Sequence, residues 1–144
     1  MFSASLVALL LGGCGQSSQP APQPTSQPQV TPMPTLDASK VTLGQQVYTE
    51  HCASCHGIEG EGQQNWKEPL PNGNYPAPPH DDSGHTWHHG DGTLYRVVRE
   101  GSMARRQGLT PGMPAFADVL SDEEIRATIR YLKSLWSEEP QRIQ

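Results

Sequence analysis

The chain is poor in the features that mark several common protein classes. Cysteine is scarce, three in 144 residues. A structural zinc site built from paired thiolates needs two closely spaced pairs, and this chain can supply one. Apolar residues are few. The hydrophobic share is 34%; with Tyr removed and Gly added it is about 41%, against a usual ~45–50%. A core that small gains from any large apolar body it can enclose. No Lys/Arg-rich run occurs, and the formal net charge of −5 comes from interspersed signs. That excludes the electrostatic footprint of a nucleic-acid binder. No apolar run approaches the ~20 residues that cross a bilayer. No alternating stretch of any length appears, so the fold class reads as all-α. No grouping of acid, base and nucleophile is visible, so the chain does not read as an enzyme.

What is present is Cys52-Ala53-Ser54-Cys55-His56. Two thiols three residues apart, followed at once by a histidine, read as a c-type haem attachment site. On a helix such thiols share a face, so both sulfurs reach the vinyl groups along one side of a porphyrin. His56 then lies under the metal as the proximal axial ligand. A thioredoxin-like use of the thiols would need a strand-helix-strand setting in a reducing compartment, and neither is legible.

The third cysteine has its own setting. Phe2 to Leu11 is mostly apolar and leads into Leu11-Gly12-Gly13-Cys14. A run of about ten residues fits the core of a signal peptide rather than a membrane span. Leu-Gly-Gly-Cys resembles a bacterial lipoprotein lipobox, which implies cleavage before Cys14 and lipidation of that residue. Residues 1–13 are therefore expected to be a signal peptide. No Lys or Arg precedes the apolar run, as one usually does; a true start upstream of Met1 would account for that. Export agrees with haem attachment, which occurs outside the bacterial cytoplasm.

Residues 14–37 follow as the lipidated cysteine and a linker. Residues 15–36 hold no charge and six prolines from Pro20 to Pro34. They cannot bury enough surface to fold and have polyproline II character. Their reach is at most ~70 Å.

Helical signals fill parts of residues 38–139. A first helix is expected from Thr42, where Thr42-Leu43-Gly44-Gln45 can form a capping box. Leu43, Val47, Tyr48 and Cys52 line its inner face, and it stops by Gly57. Residues 57–90 are a long loop region punctuated by Gly, Pro and Asn. Asp91 can cap a second helix with Leu94, Val97 and Val98 inward and Gly101 at its end. The last helix begins at the capping box Ser121-Asp122-Glu123-Glu124. Leu120 and Ile125 stand at the positions of a hydrophobic staple, and Pro140 marks the end.

A sixth ligand is needed unless the iron binds substrate. Met33, Met103, Met113 and five other histidines are available. Met33 falls in the linker, and Met103 has no stiffening neighbour. Met113 sits between Gly112 and Pro114 in a loop fixed by two prolines, and is the favoured ligand. An axial histidine from the loop at 80–89 is the alternative.

Over about residues 38–137 the chain resembles a class I bacterial cytochrome c. The resemblance rests on Gly44 and Tyr48 ahead of Cys52-x-x-Cys55-His56, on Met113-Pro114, and on Tyr131-Leu132 in the closing helix. It implies helices wrapped around one covalent haem c with one edge exposed, and His56 and Met113 as axial ligands. It also implies a close crossing of the first and last helices at Gly44 and Tyr131.

His80, His85, His88 and His89, with Asp81 and Asp82, could form a second metal site for Zn or Cu(II). They could equally bond backbone, water or haem propionates, and the Trp87 indole is a donor of that kind. Arg96, Arg99, Arg105 and Arg106 cluster before the Met113 loop and could steer an acidic partner.

The expected function is one-electron transfer by a membrane-tethered, extracytoplasmic c-type cytochrome. It would shuttle between respiratory or photosynthetic redox proteins, with no role for nucleic acid. The rival readings are a haem sensor with a labile sixth ligand and a metal-handling lipoprotein using the histidine loop.

Overall fold

Asp37 opens the first helix, α1, which runs Ala38–His51. The Asp37 carboxylate accepts from the backbone N–H groups of Ser39 and Lys40, satisfying two donors that a helix start leaves orphaned. The expected start at Thr42 is therefore corrected by one turn. Thr42 already lies inside the helix, where its hydroxyl donates to the Ala38 carbonyl. An aspartate five residues upstream was the stronger cap, and the Thr42 pattern was incidental.

A computed structural model describes Met1, residues 35–102 and residues 112–144. Residues 2–13 of the expected signal peptide, Cys14, residues 15–34 of the linker with Met33, and Met103, Arg105 and Arg106 lie outside the described residues.

Cys52 interrupts the helical run. Helix α2 follows over Ala53–His56, and α3 spans Asp91–Glu100. Helix α4 spans Asp122–Ser134, and a short α5 spans Glu138–Ile143. A single 3-10 turn occupies Thr86–His88. No strand occurs among the described residues, in line with the all-α reading.

The capping box of α4 is present in full. The Ser121 hydroxyl accepts from the Glu124 backbone, and the Glu124 carboxylate accepts from the Ser121 backbone N–H. Leu120 and Ile125, the staple pair, are both buried in one cluster. Complete burial of Ile125 contributes roughly 1.5–3 kcal/mol. Pro140 does not end the helical structure as expected. It is the third residue of α5, in the first turn, where a missing N–H costs nothing.

Helices α1 and α4 pack against each other at Gly44. A methyl there would sit 2.5 Å from the Ala127 carbonyl carbon and 2.9 Å from Tyr131 Cβ. Only a glycine permits that approach. Tyr48, one turn on, is fully buried against Tyr131, with ring centroids 5.1 Å apart. The expected crossing at Gly44 and Tyr131 is thus present, and it carries Cys52, at the end of α1, on a fixed support. An exposed ion pair, Lys40 with Glu123, joins the same two helices. Pairs of that kind contribute at most about 1 kcal/mol each.

Candidate haem site

The attachment motif lies on the turn where α1 gives way to α2. Cys52 is buried and Cys55 is exposed, and neither forms a disulfide. Burial, then the neighbouring Cys55 sulfur, pushes the Cys52 thiol up to about 11. That is the opposite of the depressed pKa that a redox-active Cys-x-x-Cys thiolate requires.

His56 closes α2 and is buried. Its Nδ1 lies 2.9 Å from the Pro78 carbonyl oxygen. A carbonyl only accepts, so Nδ1 carries the proton and donates it. The lone pair is then left on Nε2, the nitrogen free to bind iron. Burial lowers the His56 pKa, so the ring is held neutral, the form that ligates metal.

The long loop that supplies Pro78 is ordered by short-range clamps. Gly62 N–H donates to the His56 carbonyl at 2.7 Å, and Gln63 N–H to the Ala77 carbonyl at 2.8 Å. Pro79 is wedged between two glycines. A methyl on Gly62 would sit 2.7 Å from the Pro78 carbonyl carbon, and one on Gly84 2.8 Å from that of Pro79. His80 N–H donates to the Gly60 carbonyl at 2.6 Å, and Trp136 Nε1–H donates to the His80 carbonyl at 2.8 Å. The loop is thereby tied to the end of α4.

Met113 is half-buried and packs against the cluster that holds Val98 and Leu120. Its loop is held by the C-terminal end of α3. Phe116 and Ala117 donate their N–H groups to the Val98 and Arg99 carbonyls, each at 3.1 Å, and Ser102 N–H donates to the Met113 carbonyl at 3.1 Å. The last carbonyls of a helix need such partners. Gly101 turns the chain there at φ 84°, where a methyl would also meet the Met113 carbonyl oxygen at 2.9 Å.

The loop histidines do not converge. His80 stacks on His56, His85 stacks on Trp66, and His88 stacks on Trp87. His89 meets the edge of His85. Among the described residues no group of His, Cys, Asp or Glu could hold a metal ion. The alternative of a second metal site at His80, His85, His88 and His89 therefore finds no support: stacking on aromatic rings disperses the imidazoles. Arg99 pairs with Asp122 at 2.8 Å and donates to the Tyr95 hydroxyl, so it is committed to the α3–α4 junction. Arg96 is exposed.

Two buried polar atoms have no hydrogen-bond partner among the described residues, Trp87 Nε1 and Ser102 Oγ. A buried donor without an acceptor costs about 1–3 kcal/mol. Haem propionates are acceptors of the kind a buried indole N–H requires. The Cys pair, a neutral imidazole with one free nitrogen and this orphaned donor fit a covalently held haem.

The sequence matches the cytochrome c family over residues 41–136. The chain belongs to the cytochrome c family. As a cytochrome c it carries haem c, attached covalently through Cys52 and Cys55. It is similar to the Cbb3-type cytochrome c oxidase subunit FixP of Sinorhizobium medicae, at 31% identity over 104 residues. That match covers 71% of this chain and 32% of FixP, so the chain spans about a third of that relative's length. In fold it is similar to the crystal structure of cytochrome cL from Methylophaga aminisulfidivorans. The TM-score is 0.53 at 19% identity, covering 75% of this chain and 62% of the other. No helix among the described residues is long and apolar enough to cross a membrane.

The motif was legible from spacing alone, but its supports were not. The Pro78 acceptor, the His80 stack and the Trp136 tie were missed. The rigid Pro78-Pro79 pair ahead of His80 was the one available signal.

Proposed function

We propose that this cytochrome c is a membrane-tethered, extracytoplasmic one-electron carrier with His56 and Met113 as axial ligands. The observation that carries the reading is the His56 ring: buried, with Nδ1–H spent on Pro78 and Nε2 free. Bound haem supplies the one-electron couple of its iron, and the protein sets the potential through ligation, burial and hydrogen bonding. The Met113 loop, held by the end of α3, presents a thioether without ordering a flexible chain on each encounter. The buried Trp87 N–H is suited to hold a propionate. Were His56 and Met113 both to hold the iron, no position would remain on it for a small molecule, as suits a carrier and not a sensor.

Lipidation of Cys14 supplies the anchor, and the Pro/Gln linker the reach. Several acyl chains make membrane binding stable where one is marginal. The partners are redox proteins. The likeness to an oxidase subunit makes a terminal oxidase the candidate acceptor, with an upstream donor protein on the other side.

The test is spectroscopic. The oxidised protein is expected to show the weak sulfur-to-iron band at the red end of its spectrum and to exclude carbon monoxide when reduced. Met113→Ala removes the band, lowers the reduction potential and admits carbon monoxide, because a thioether favours ferrous iron. Carbon monoxide binding by the wild type would favour the sensor. An unchanged Met113→Ala spectrum would move the ligand elsewhere. For the anchor, Cys14→Ser should release the protein from membranes.

A further inference from the structure

His80 has no part in the attachment motif, yet its ring lies flat against the ring of His56. The centroids are 4.1 Å apart and the planes differ by 24°. Aromatic pairs usually sit at 4.5–7 Å, so this stack is tight. An imidazole ligand bound through one nitrogen can still turn about the metal–nitrogen axis. The Pro78 carbonyl restrains that turn at the ring edge. A flat ring against its face restrains it further, provided that ring cannot itself move.

His80 cannot readily move. Its backbone is held at both polar atoms, by the Gly60 carbonyl and by the Trp136 indole. Its Nδ1 lies 2.8 Å from Thr86 Oγ1. Thr86 is buried, and its hydroxyl donates to the Pro79 carbonyl at 3.5 Å. That leaves a hydroxyl lone pair to accept the His80 Nδ1–H. The buried Tyr48 ring also meets His80 edge-on at 6.1 Å. Tyr48 is fixed by its own bond to the Gly57 carbonyl at 2.8 Å. His80 is thus braced by the Tyr48 edge as well as by its own bonds, while it stacks on His56.

We infer that His80 is a positioning residue that sets the plane of the His56 imidazole. The inference rests on the axial role proposed for His56. It acts through orientation, so its signature is electronic rather than a loss of folding. The orientation of an axial imidazole plane decides how unpaired spin in the ferric protein is distributed over the porphyrin, which the haem-methyl proton shifts report.

The experiment compares the full-length ferric holoprotein with His80→Ala, His80→Phe and Thr86→Val. Haem-methyl proton spectra and thermal unfolding are recorded on each. His80→Ala is expected to change the order or spread of the haem-methyl shifts. His80→Phe, which restores a flat ring, returns the order towards wild type although it lacks the bond to Thr86. Thr86→Val shifts the pattern in the same direction as His80→Ala, by less. Wild-type shifts in all three, with stability alone reduced, would overturn the inference. So would a His80→Phe pattern as altered as that of His80→Ala. If His80→Ala does not take up haem, the phenylalanine and valine variants decide by the same criteria. A wild-type spectrum without imidazole ligation would instead reject the axial assignment of His56, which is a different failure.

Discussion

Gly44→Ala sets two effects of opposite sign against each other, and the structure decides between them. In an exposed helix interior the change stabilises by about 1 kcal/mol, through helix propensity and a less flexible unfolded chain. At Gly44 the new methyl would lie 2.5 Å from the Ala127 carbonyl carbon and 2.9 Å from Tyr131 Cβ, where ordinary contact begins at 3.4 Å. The first shortfall is about 0.9 Å, and the obstacle is helix backbone that no rotamer change can clear. The helices must part, loosening Tyr48 against Tyr131. Overpacking of a tight core costs typically 1–3 kcal/mol and occasionally more. The upper end applies here, so the net loss is about 2 kcal/mol or above. At roughly 4–8 °C per kcal/mol for a domain of this size, the melting temperature should fall by about 8–16 °C. The assay is thermal unfolding of the holoprotein by far-ultraviolet circular dichroism and by the haem band together. Gly92→Ala is the control, since no atom lies within 4 Å of a methyl placed there in α3; it should gain about 0.4–1 kcal/mol. A Gly44→Ala protein as stable as wild type would refute the close crossing.

Gly101→Ala places a side chain at φ 84° and ψ −179°, a region that costs about 1–3 kcal/mol for any residue but glycine. Because the methyl also meets the Met113 carbonyl, the sulfur-to-iron band should weaken along with stability; loss of stability with the band intact would separate the turn from the ligand. Ser121→Ala should cost about 1 kcal/mol by denaturant titration, as removal of a serine N-cap does. The Ser121 hydroxyl, then its backbone N–H, hold the Glu124 carboxyl below the usual range. That stabilisation is present above the ordinary carboxylate pKa and is lost as pH falls through the lowered one. The gap between wild type and Ser121→Ala should therefore narrow in acid, and a gap constant with pH would count against the capping box. Trp87→Phe keeps the ring and removes the donor. A propionate without that bond holds more negative charge near the iron and favours the ferric form, so the reduction potential should fall; an unchanged potential in a folded holoprotein would remove Trp87 from the site.

The sequence carried those parts of this fold whose causes are local, and missed those whose causes are contacts between distant segments. The haem motif, the Ser121 box, the Leu120–Ile125 staple and the Gly101 turn each depend on residues within a few positions of one another, so spacing was enough. The start of α1 was misplaced because two local signals competed. Asp37 prevails because its carboxylate takes two backbone donors, whereas the Thr42 hydroxyl bonds back to Ala38. Residues 57–90 were legible only as a loop, since no periodicity describes a chain held by Gly62, Gly84 and Trp136 from three separate places. Histidine content suggested a second metal because composition does not say which way a ring faces; aromatic neighbours at Trp66 and Trp87, and His56 itself, settle that. The same loop thus answers two questions at once. Its Pro78 carbonyl fixes which nitrogen of His56 is free, and its His80 ring lies against the face of that imidazole. A segment legible in the sequence only as a loop thus brings a carbonyl and a ring to His56 from two directions, because a long irregular loop can reach one histidine twice, which a regular helix cannot.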